Sequence, residues 1–355
     1  MSEQLTKVAI IIVTYNSARF IPDCFESLSR LDRTGLDVDI IVIENASTDA
    51  TVQMMQAYPF AELHLSPKNL GFAGGNNLGI RMAMERGAEF VYLLNHDTEI
   101  TPNFLIEAVA AAKHDARIGS VQSLLLLSPD KASVNSTGNA VHFLGFGYCS
   151  DYRRKAEDVR RELVGKTREI AYGSGAGVLF RCALLKKIGL LDEELFMYHE
   201  DLDLGWRIRL AGHRNVLAPE SVVYHKYEFS RSISKYYFME RNRYFVFLKN
   251  LRVRSLAVLA PFLLVSEAGL LLSAVRSGWW KEKLRSYAYF FHASTWRLLA
   301  RERREVARLR TVGDRKIVSL WRSTISYQEV AGPFTRYVAN PLMTLTWSVI
   351  RNLIV

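Results

Sequence analysis

The sequence predicts an α/β fold in which a mixed, mainly parallel sheet is flanked by helices and followed by an α-helical C-terminal region. Continuous β-branched runs at 8–13 and 39–43 are typical of strands buried on both faces, as in parallel sheets. Helical patterns alternate with these strands, which favours an α/β layer arrangement. The net charge then changes from −5 over residues 1–225 to +15 over residues 226–355, which marks a second functional region.

Composition places the chain among ordinary globular proteins, because 49% of its 355 residues are hydrophobic and 23% are charged. Cys24, Cys149 and Cys182 are scattered, so they form neither a metal-binding spacing nor a disulfide framework. This use of cysteine fits a reducing compartment. Residues 1–7 lack an apolar signal core, so secretion is not expected.

Polar residues gather where the predicted strands end, at 14–17, 44–49 and 95–99. The last group follows a third apolar strand at 90–94. In open α/β sheets the ligand crevice lies at the carboxyl ends of the strands, so these groups predict a binding site. Ser47 or Thr48 is placed to cap the helix that follows the second strand.

Two glycine-rich segments invite a nucleotide-binding interpretation. Residues 69–79 (NLGFAGGNNLG) allow a ligand to approach the backbone closely, but they lack the Gly-Lys-Ser/Thr of a phosphate loop. A flexible turn is the alternative. Residues 172–177 (YGSGAG) precede a strand instead of following one, so they match a dinucleotide fingerprint only superficially.

The stretch 196–209 (FMYHEDLDLGWRIR) begins a helix with three acids, Glu200, Asp201 and Asp203. Adjacent helical side chains point about 100° apart, so Glu200 and Asp201 cannot both face the same solvent. One of them is expected to enter a cleft, where a carboxylate can act as a general base. The alternative is an acid-rich helix N-terminus favoured by the helix dipole. Asp203 and Arg207 are spaced to pair on the solvated side.

Five polar motifs occur in one order: Thr14-Tyr15-Asn16, Glu44-Asn45 with Asp49, Asn69-Leu70-Gly71-Phe72-Ala73, Asn95-His96-Asp97 and His199-Glu200-Asp201. This set resembles the family 2 glycosyltransferases of the Rossmann-like GT-A fold, in particular their rhamnosyltransferase-like subgroup. The resemblance covers about residues 5–255. Each motif is weak alone, and the order of all five makes the resemblance specific.

The resemblance implies an inverting transfer of a sugar, for example rhamnose, from a nucleotide-diphosphate donor to a hydroxyl of a glycan or polyprenyl-linked acceptor. It places Asp201 at the position of the catalytic base, with Glu200 as its orienting partner. Tyr15 would pack near the nucleobase of the donor, and Asp49 would hydrogen-bond uracil, thymine or ribose. The implied donor-binding residues are Thr14, Tyr15, Asn16, Glu44, Asn45, Asp49, Asn69, Gly71, Phe72, Asn76, Asn95 and Asp97.

The metal and acceptor sites are also implied by the resemblance. The family's Asp-x-Asp motif is replaced by Asn95-His96-Asp97, which keeps one carboxylate. Asp97 and His225 would hold Mg²⁺ or Mn²⁺, and a core histidine is the alternative for His225. Asp192 and Trp206 are candidate acceptor-binding residues. Their alternatives are a helix cap and a core tryptophan.

The sequence divides into a catalytic domain over residues 1–250 and a basic helical region over 251–355, which we expect to associate with a membrane. Residues 255–275 match the thickness of a bilayer, although Pro261 and Glu267 interrupt them. Trp279-Trp280-Lys281 resembles an interfacial belt, and arginines recur on the helix that follows. An amphipathic hairpin on the anionic cytoplasmic face of the cell membrane is the expected arrangement.

The basic region has two alternative interpretations. The first is a soluble helical subdomain or an interface in a homo-oligomer, and the second is a nucleic-acid arm. No nucleic-acid motif supports the last of these, so nucleic acid is not an expected partner. Two alternatives to a glycosyltransferase also remain open. A sugar nucleotidyltransferase would carry a basic glycine-rich loop after the first strand, and none is present. A non-catalytic sugar-nucleotide-binding scaffold of a polysaccharide assembly complex would not need the carboxylates at Asp97, Glu200 and Asp201.

Overall fold

The computed structural model of the chain describes residues 5–227, 233–325, 333 and 335–354. Its strands are β1 (Thr6–Thr14), β2 (Leu36–Glu44), β3 (Glu62–Leu65), β4 (Phe90–Leu94), β5 (Thr98–Ile100), β6 (Ile118–Leu127), β7 (Val134–Ser136), β8 (Asn139–Val141), β9 (Gly147–Cys149), β10 (Arg168–Ile170), β11 (Gly177–Arg181) and β12 (Arg214–His225).

The helices of the first 250 residues are α1 (Ile21–Leu28), α2 (Thr51–Met55), α3 (Gly71–Glu85), α4 (Phe104–His114), α5 (Ala156–Leu163), α6 (Cys182–Ile188), α7 (Glu200–Leu210) and α8 (Ile233–Asn250). The C-terminal region adds α9 (Val253–Arg276), α10 (Trp280–Tyr289), α11 (Ala293–Leu309), α12 (Asp314–Val318) and α13 (Asn340–Ile350). Short 3₁₀ helices lie at Ala18–Phe20 and Glu193–Leu195, and a π-helical turn lies at Thr335–Ala339.

A ten-stranded sheet has the order β10-β12-β6-β11-β4-β1-β2-β3, with β5 paired to β12 and β7 to β6. The pairs β4–β1, β1–β2, β2–β3 and β12–β6 are parallel, whereas β11 runs antiparallel to both of its neighbours. The predicted mixed, mainly parallel sheet flanked by helices is confirmed, as is the helical C-terminal region. The antiparallel β11 has a direct consequence, because its first residue lies beside the last residue of β4.

The central strand β1 is buried on both faces, as its β-branched run predicts. Val8, Ile10 and Ile12 pack on one side in a cluster that includes residues of α1 and α4. Ala9 and Ile11 pack on the other side with residues of α3, α6 and α7. The ends of β1, β2 and β4 are therefore held rigidly at one edge of the sheet.

The glycine-rich segment 69–79 is not a flexible turn, because from Gly71 onward it forms the start of α3. Its glycines permit close packing of that helix on the sheet. A Cβ atom at Gly79 would lie 2.5 Å from Cγ2 of Ile11, and one at Gly75 would lie 2.9 Å from Cγ1 of Val13. The absence of side chains thus serves helix–sheet contact instead of flexibility.

Helix α7 is buried along nearly its whole length, which corrects the expectation of a solvated side. Asp203 and Arg207 do pair, with 2.8 Å between Oδ2 and Nε, but both side chains are buried. Lys249 and Asn250 of α8 also reach the Asp203 carboxylate. The face predicted to meet solvent is instead covered by the segment 188–190, whose carbonyls accept from Arg207, and by α8.

The C-terminal helices share a core with the region before residue 250. Trp206 of α7 packs edge-on against Phe247 of α8 and Trp321, and Trp347 of α13 stacks on Trp321. Leu299 of α11 belongs to the same cluster. Residues on both sides of position 250 therefore contribute to one apolar core.

Helix α9 is apolar and largely exposed. It is the one helix within the described ranges that is long and apolar enough to cross a bilayer, judged by length and composition alone. Only 11% of the most apolar 18-residue stretch of α9 is buried. Glu267 nevertheless joins one side of α9 to the protein, since its carboxylate lies 2.5 Å from Arg243 of α8 and 2.7 Å from Lys283 of α10.

We predict that Gly79→Ala destabilises the protein by roughly 1–3 kcal/mol, because the new methyl group overpacks the buried Ile11. Gly269→Ala is the matched control. Gly269 is also helical and has no atom within 4 Å of its would-be Cβ. Its substitution should leave the stability of the protein unchanged or raise it by up to about 1 kcal/mol. Denaturant unfolding measures both, and equal effects at the two positions would contradict the packing argument.

Candidate active site

The site lies where β1, β2 and β4 end and β11 begins. Gly177, the first residue of β11, pairs with Leu94, the last residue of β4. The backbone N–H of Asn95 donates to the carbonyl of Ala176 over 3.2 Å. The segment before β11 is therefore fixed against the polar exit of β4, which carries Asn95 and Asp97.

Two loops at this edge are joined through the side chains of Asn16 and Asp49. Oδ1 of Asn16 accepts from the N–H of Thr48 over 2.9 Å, and Oδ2 of Asp49 accepts from the N–H of Ala18 over 3.1 Å. Partial burial acts to raise the pKa of Asp49, but hydrogen bonds from Thr51 and Ala18 hold it below its ordinary value. Asp49 thus stays ionised while remaining exposed to a ligand.

The prediction that Ser47 or Thr48 caps the helix after β2 is wrong. The side chains of Ser47 and Thr48 face the Asn16 loop, where Ser47 Oγ accepts from the N–H of Asn16. Asp49 instead accepts from the N–H of Thr51, the first residue of α2. Its second oxygen is then free to hold the first loop.

The other residues at the β1 and β2 exits differ in exposure. Tyr15 is 46% exposed, so its ring can meet a ligand. Thr14 is fully buried, and its hydroxyl has no hydrogen-bond partner. Glu44 is also buried, and its carboxylate accepts from the N–H groups of Ala46 and Ser47. Thr14 and Glu44 therefore shape the loops from within.

Asn45 connects the sheet to the start of α3. Its Nδ2 donates to the carbonyl of Gly71 over 3.0 Å, and its Oδ1 accepts from the N–H of Leu70. Oδ1 of Asn69 accepts from the N–H of Gly71, and Nδ2 of Asn76 donates to the carbonyl of Phe72. These amides fix the backbone at the start of α3, with the Phe72 ring against Gly175.

Asp97 and His225 come together although 127 residues separate them in the sequence. β12 pairs with β5 so that His225 lies opposite Thr98, and Nε2 of His225 is 3.3 Å from Oδ1 of Asp97. Burial acts to raise the pKa of Asp97, but the nearby His225 outweighs it and lowers that pKa to about 2. The Asp97 carboxylate is therefore ionised at neutral pH.

The pair fits a divalent cation. Apart from the contact with His225, Oδ1 of Asp97 is buried without a hydrogen-bond partner. Nδ1 of His225 lies 2.9 Å from Oδ1 of buried Asn135, so Nδ1 can keep its proton while Nε2, which faces Asp97, would become the metal ligand once a bound cation replaces its proton. Within the described residues, no group of three or more histidine, cysteine or acidic side chains could hold a metal. Further ligands would have to come from other oxygens.

Asp201 and Glu200 open α7 at the same edge of the sheet. Oδ1 of Asp201 accepts from the N–H of Leu202 over 2.7 Å, and Oδ2 accepts from the N–H of Gly175 over 3.3 Å. Burial raises the pKa of Asp201 to about 6, against the opposing effect of these two hydrogen bonds. Burial and the adjacent Asp201 raise the pKa of Glu200 well above its ordinary value. Near neutral pH the pair therefore carries one negative charge, on Asp201.

The candidate acceptor residues Asp192 and Trp206 are engaged within the protein, which corrects both assignments. Asp192 caps the 3₁₀ helix through the N–H of Glu194, and its other oxygen lies 2.6 Å from Lys249 Nζ. Trp206 is 3% exposed and belongs to the core shared with the C-terminal helices. The cap and core alternatives explain these two residues, because each side chain is already occupied.

Three residues of the site escaped the sequence analysis. Asn135 orients His225, Gly175 anchors Asp201, and Asn242 of α8 contacts the backbone just before α7. Gly175 lies in the segment 172–177. Its glycines do not match a dinucleotide fingerprint, but they could have indicated a backbone segment that approaches the site closely. Asn242 lies in the motif Glu240-Arg241-Asn242-Arg243, near the end of the region that resembles the family, but no role was assigned to it. Asn135 had no local signal, since it acts on a residue far away in the sequence.

Comparison with known proteins agrees with this geometry. A family model described as glycosyltransferase like family 2 matches residues 6–245. An N-acetylglucosaminyl-diphospho-decaprenol L-rhamnosyltransferase of Mycobacterium tuberculosis is 27% identical over 238 residues, covering 61% of this chain and 75% of its own. A low-salt glycan biosynthesis hexosyltransferase of Haloferax volcanii is 26% identical over 210 residues, covering 58% of this chain and 62% of its own.

Solved structures share the fold. The structure of GalNAc-T7 with UDP, GalNAc and Mn²⁺ superimposes with a TM-score of 0.56 at 14% identity, over 73% of this chain and 51% of that one. TarS 1–349 of S. aureus in complex with UDP gives 0.50 at 17% identity, over 98% and 89%. Because the family model covers more than half of the sequence and the order of its motifs is kept at one sheet edge, the chain belongs to glycosyltransferase family 2.

Proposed function

We propose that this inverting glycosyltransferase uses Asp201 as its general base and moves a sugar from a nucleotide-diphosphate donor to a hydroxyl of a glycan or polyprenyl-linked acceptor. The observation that carries the proposal is the Asp201 carboxylate, held at the sheet edge with a pKa raised to about 6. A base is most effective when its pKa lies near the working pH. Asp201 meets that condition, and an ordinary solvated aspartate does not.

The bond changes follow from inversion. The acceptor oxygen attacks the anomeric carbon on the face opposite the diphosphate, and its proton passes to a carboxylate oxygen of Asp201. The bond between the anomeric carbon and the diphosphate oxygen breaks, and a nucleoside diphosphate leaves. Glu200, kept neutral by burial beside Asp201, holds the site at one negative charge and orients its neighbour.

The donor would lie across the ends of β1, β2 and β4. Tyr15 offers an exposed ring on which the nucleobase can stack, and Asp49 offers an ionised carboxylate to the nucleobase or the ribose. Asp97 and His225 would hold Mg²⁺ or Mn²⁺, which when bound offsets the negative charge of the diphosphate. Thr14, Glu44, Asn45, Asn69 and Asn76 support the backbone around this cleft.

The acceptor class is proposed from the relatives and from the surface of the C-terminal region. The name of the M. tuberculosis relative specifies a diphospho-decaprenol acceptor. Exposed apolar side chains on α9, including Leu264, Val265 and Leu272, form a surface that suits the interface of a bilayer. The ion-paired Glu267 supports an interfacial position over a spanning one, because crossing the bilayer would place these charges in lipid.

Arginines of α11 would add electrostatic attraction to an anionic cytoplasmic leaflet. Arg297, Arg301, Arg304 and Arg308 are exposed, whereas Arg303 donates to the carbonyl of Leu248 and so supports the fold. Stable attachment usually needs two signals, and α9 and α11 supply an apolar and a basic one. Attachment would confine the enzyme to the plane of a lipid-linked acceptor and raise the effective concentration of that acceptor.

Asp201→Asn is expected to leave donor binding nearly unchanged and to lower nucleoside diphosphate release from the donor by roughly 10²-fold or more, since acid–base catalysis contributes about that much. In the unsubstituted enzyme, kcat/KM should fall as pH decreases through about 6, because the Asp201 carboxylate becomes protonated. Near-normal turnover by the Asp201→Asn enzyme would remove Asp201 from the mechanism and direct attention to Glu200.

The donor and the metal are tested together by thermal unfolding. UDP, GDP and dTDP and their sugar conjugates are screened with and without Mn²⁺ or Mg²⁺, since a ligand of the native state raises Tm. Asp97→Ala should abolish the metal-dependent part of the shift, and His225→Ala should reduce it. Tyr58→Phe, which removes a hydroxyl from a ring packed on Phe25 of α1, is the control. A shift that survives chelation and both substitutions would show that nucleotide binding needs no cation at this pair.

Membrane association is tested by vesicle flotation. Arg297→Glu with Arg304→Glu should weaken binding to anionic vesicles by at least about tenfold, because each basic residue near such a surface contributes about 1 kcal/mol. Arg160→Glu with Arg161→Glu, on exposed α5, makes the same change of charge in the catalytic region and should have little effect. Carbonate should strip an interfacial protein from the vesicles. A full-length protein that ignores anionic vesicles would contradict docking.

A further inference from the structure

The segment before α7 has an uncommon backbone conformation. Phe196, Tyr198 and His199 have φ values of 60°, 65° and 69°, and none of them is glycine. Such residues are infrequent in proteins, and they persist where the surrounding structure determines their conformation. Glu200 and Asp201 follow directly. The conformation of this segment therefore sets the direction in which the two carboxyl groups leave the start of the helix.

One buried side chain contacts this segment repeatedly. Nδ2 of Asn242, on α8, lies 2.8, 2.9 and 2.7 Å from the carbonyl oxygens of Leu195, Met197 and Tyr198. Asn242 is completely buried. Its two N–H groups are shared among three acceptors that belong to four consecutive residues. A regular helix or strand could not direct three such carbonyls at one nitrogen, so the contact is specific for this irregular turn.

The orientation of the Asn242 amide is itself fixed. Oδ1 of Asn242 accepts from Nε of Arg241 over 2.8 Å, which directs Nδ2 toward the carbonyls. Nη2 of Arg241 donates to the carbonyl of Glu194, one residue before the segment begins. The Arg241 guanidinium also lies over the rings of Phe238 and Tyr289. The amide therefore has no freedom to turn its oxygen toward the same carbonyls.

The opposite side of the segment meets the donor side of the site. The N–H of Ala73 donates to the carbonyl of Phe196 over 3.1 Å. A Cβ atom at Gly71, whose φ is +73°, would lie 2.5 Å from the Phe196 ring. The segment is thus held between the start of α3 and Asn242, and Asn242 supplies the side-chain hydrogen bonds.

We propose that Asn242 is a positioning residue for sugar transfer: its amide fixes the left-handed backbone before α7 and thereby places the Asp201 carboxylate at the N–H of Gly175. This inference rests on Asp201 being the base, as proposed above. Asn242 takes no part in bond making or proton transfer. Its contribution is the geometry and the partial exclusion of water at Asp201.

A positioning role predicts a change that simple loss of stability does not. Burial is the main cause of the raised pKa of Asp201. If the turn relaxes, water reaches the carboxylate and its pKa moves toward about 4, the ordinary value for aspartate. The acidic limb of kcat/KM, which reports the base of the free enzyme, moves with it.

The test substitutes Asn242 by alanine in the full-length protein and applies two measurements. The first is hydrogen exchange followed by mass spectrometry, where peptides covering 195–203 should exchange faster than in the unsubstituted protein. The second is hydrolysis of the nucleotide sugar that gives the largest thermal shift, with water in place of the acceptor. Its kcat/KM should fall by roughly 10²-fold, because small misplacements of catalytic groups have effects of about this size. Its acidic limb should move from about pH 6 toward about 4.

Asn250→Ala is the matched control. Asn250 is equally buried on the same helix, and its amide donates to Asp203 Oδ1 over 2.8 Å, away from the turn. This substitution should lower Tm as Asn242→Ala does, while leaving exchange over 195–199 and the acidic limb unchanged. If Asn242→Ala does not fold, Asn242→Ser keeps a single donor and is measured in the same two ways.

Unchanged exchange over 195–203, or an acidic limb that stays near pH 6 in the Asn242 variant, would overturn the proposal. So would an equal shift of the limb in Asn250→Ala. The exchange measurement needs no substrate, so it remains decisive if Asp201→Asn keeps its turnover. That result would overturn the assignment of the base alone.

Discussion

The close placement of two carboxyl groups at the start of α7, with Glu200 buried and Asp201 partly buried, is the constraint on which the rest of the site depends. Two neighbouring carboxylates cannot both remain ionised in a poorly solvated place without a counter-ion. Neither Glu200 nor Asp201 has a cationic partner among the described ion pairs, and backbone N–H groups alone stabilise Asp201. The pair therefore keeps one proton near neutral pH. The negative charge remains on Asp201, and this carboxylate can accept a second proton.

Asp203 shows what the same helix does with a carboxylate that has no chemical task. Burial acts to raise its pKa as it does for Asp201, but Lys249 and Arg207 outweigh burial and lower it to about 2. Only Leu202 separates a permanently ionised structural group from one that titrates near neutrality. The difference lies in the cations supplied by α8 and α7, and not in depth within the protein.

The parts of the structure that the sequence predicted are those governed by local pattern. The β-branched run at 8–13 and the polar strand exits identified the central strands and the sheet edge, and the order of the motifs identified the family. The solvated side assigned to Arg207 was wrong because the carbonyls of residues 188–190 accept from its guanidinium, and Lys249 and Asn250 of α8 cover its partner Asp203, which only the fold brings near. The helical start of the glycine-rich segment was missed because its glycines fit against Ile11 and Val13, which only the fold brings near. Trp206 and Asp192 failed as acceptor residues for the same reason, since distant side chains occupy them.

The apolar core shared by α7 and the C-terminal helices has an evolutionary consequence. The family model ends at residue 245, yet the cluster around Trp206 continues through Trp321 to Trp347. Recombination that joined this catalytic region to the tail of another transferase would bring unmatched aromatic surfaces together in a close-packed interior, where mismatches of volume are poorly tolerated. The tail is therefore expected to diverge together with α7 as one inherited unit, and its substitutions should covary with those around Trp206.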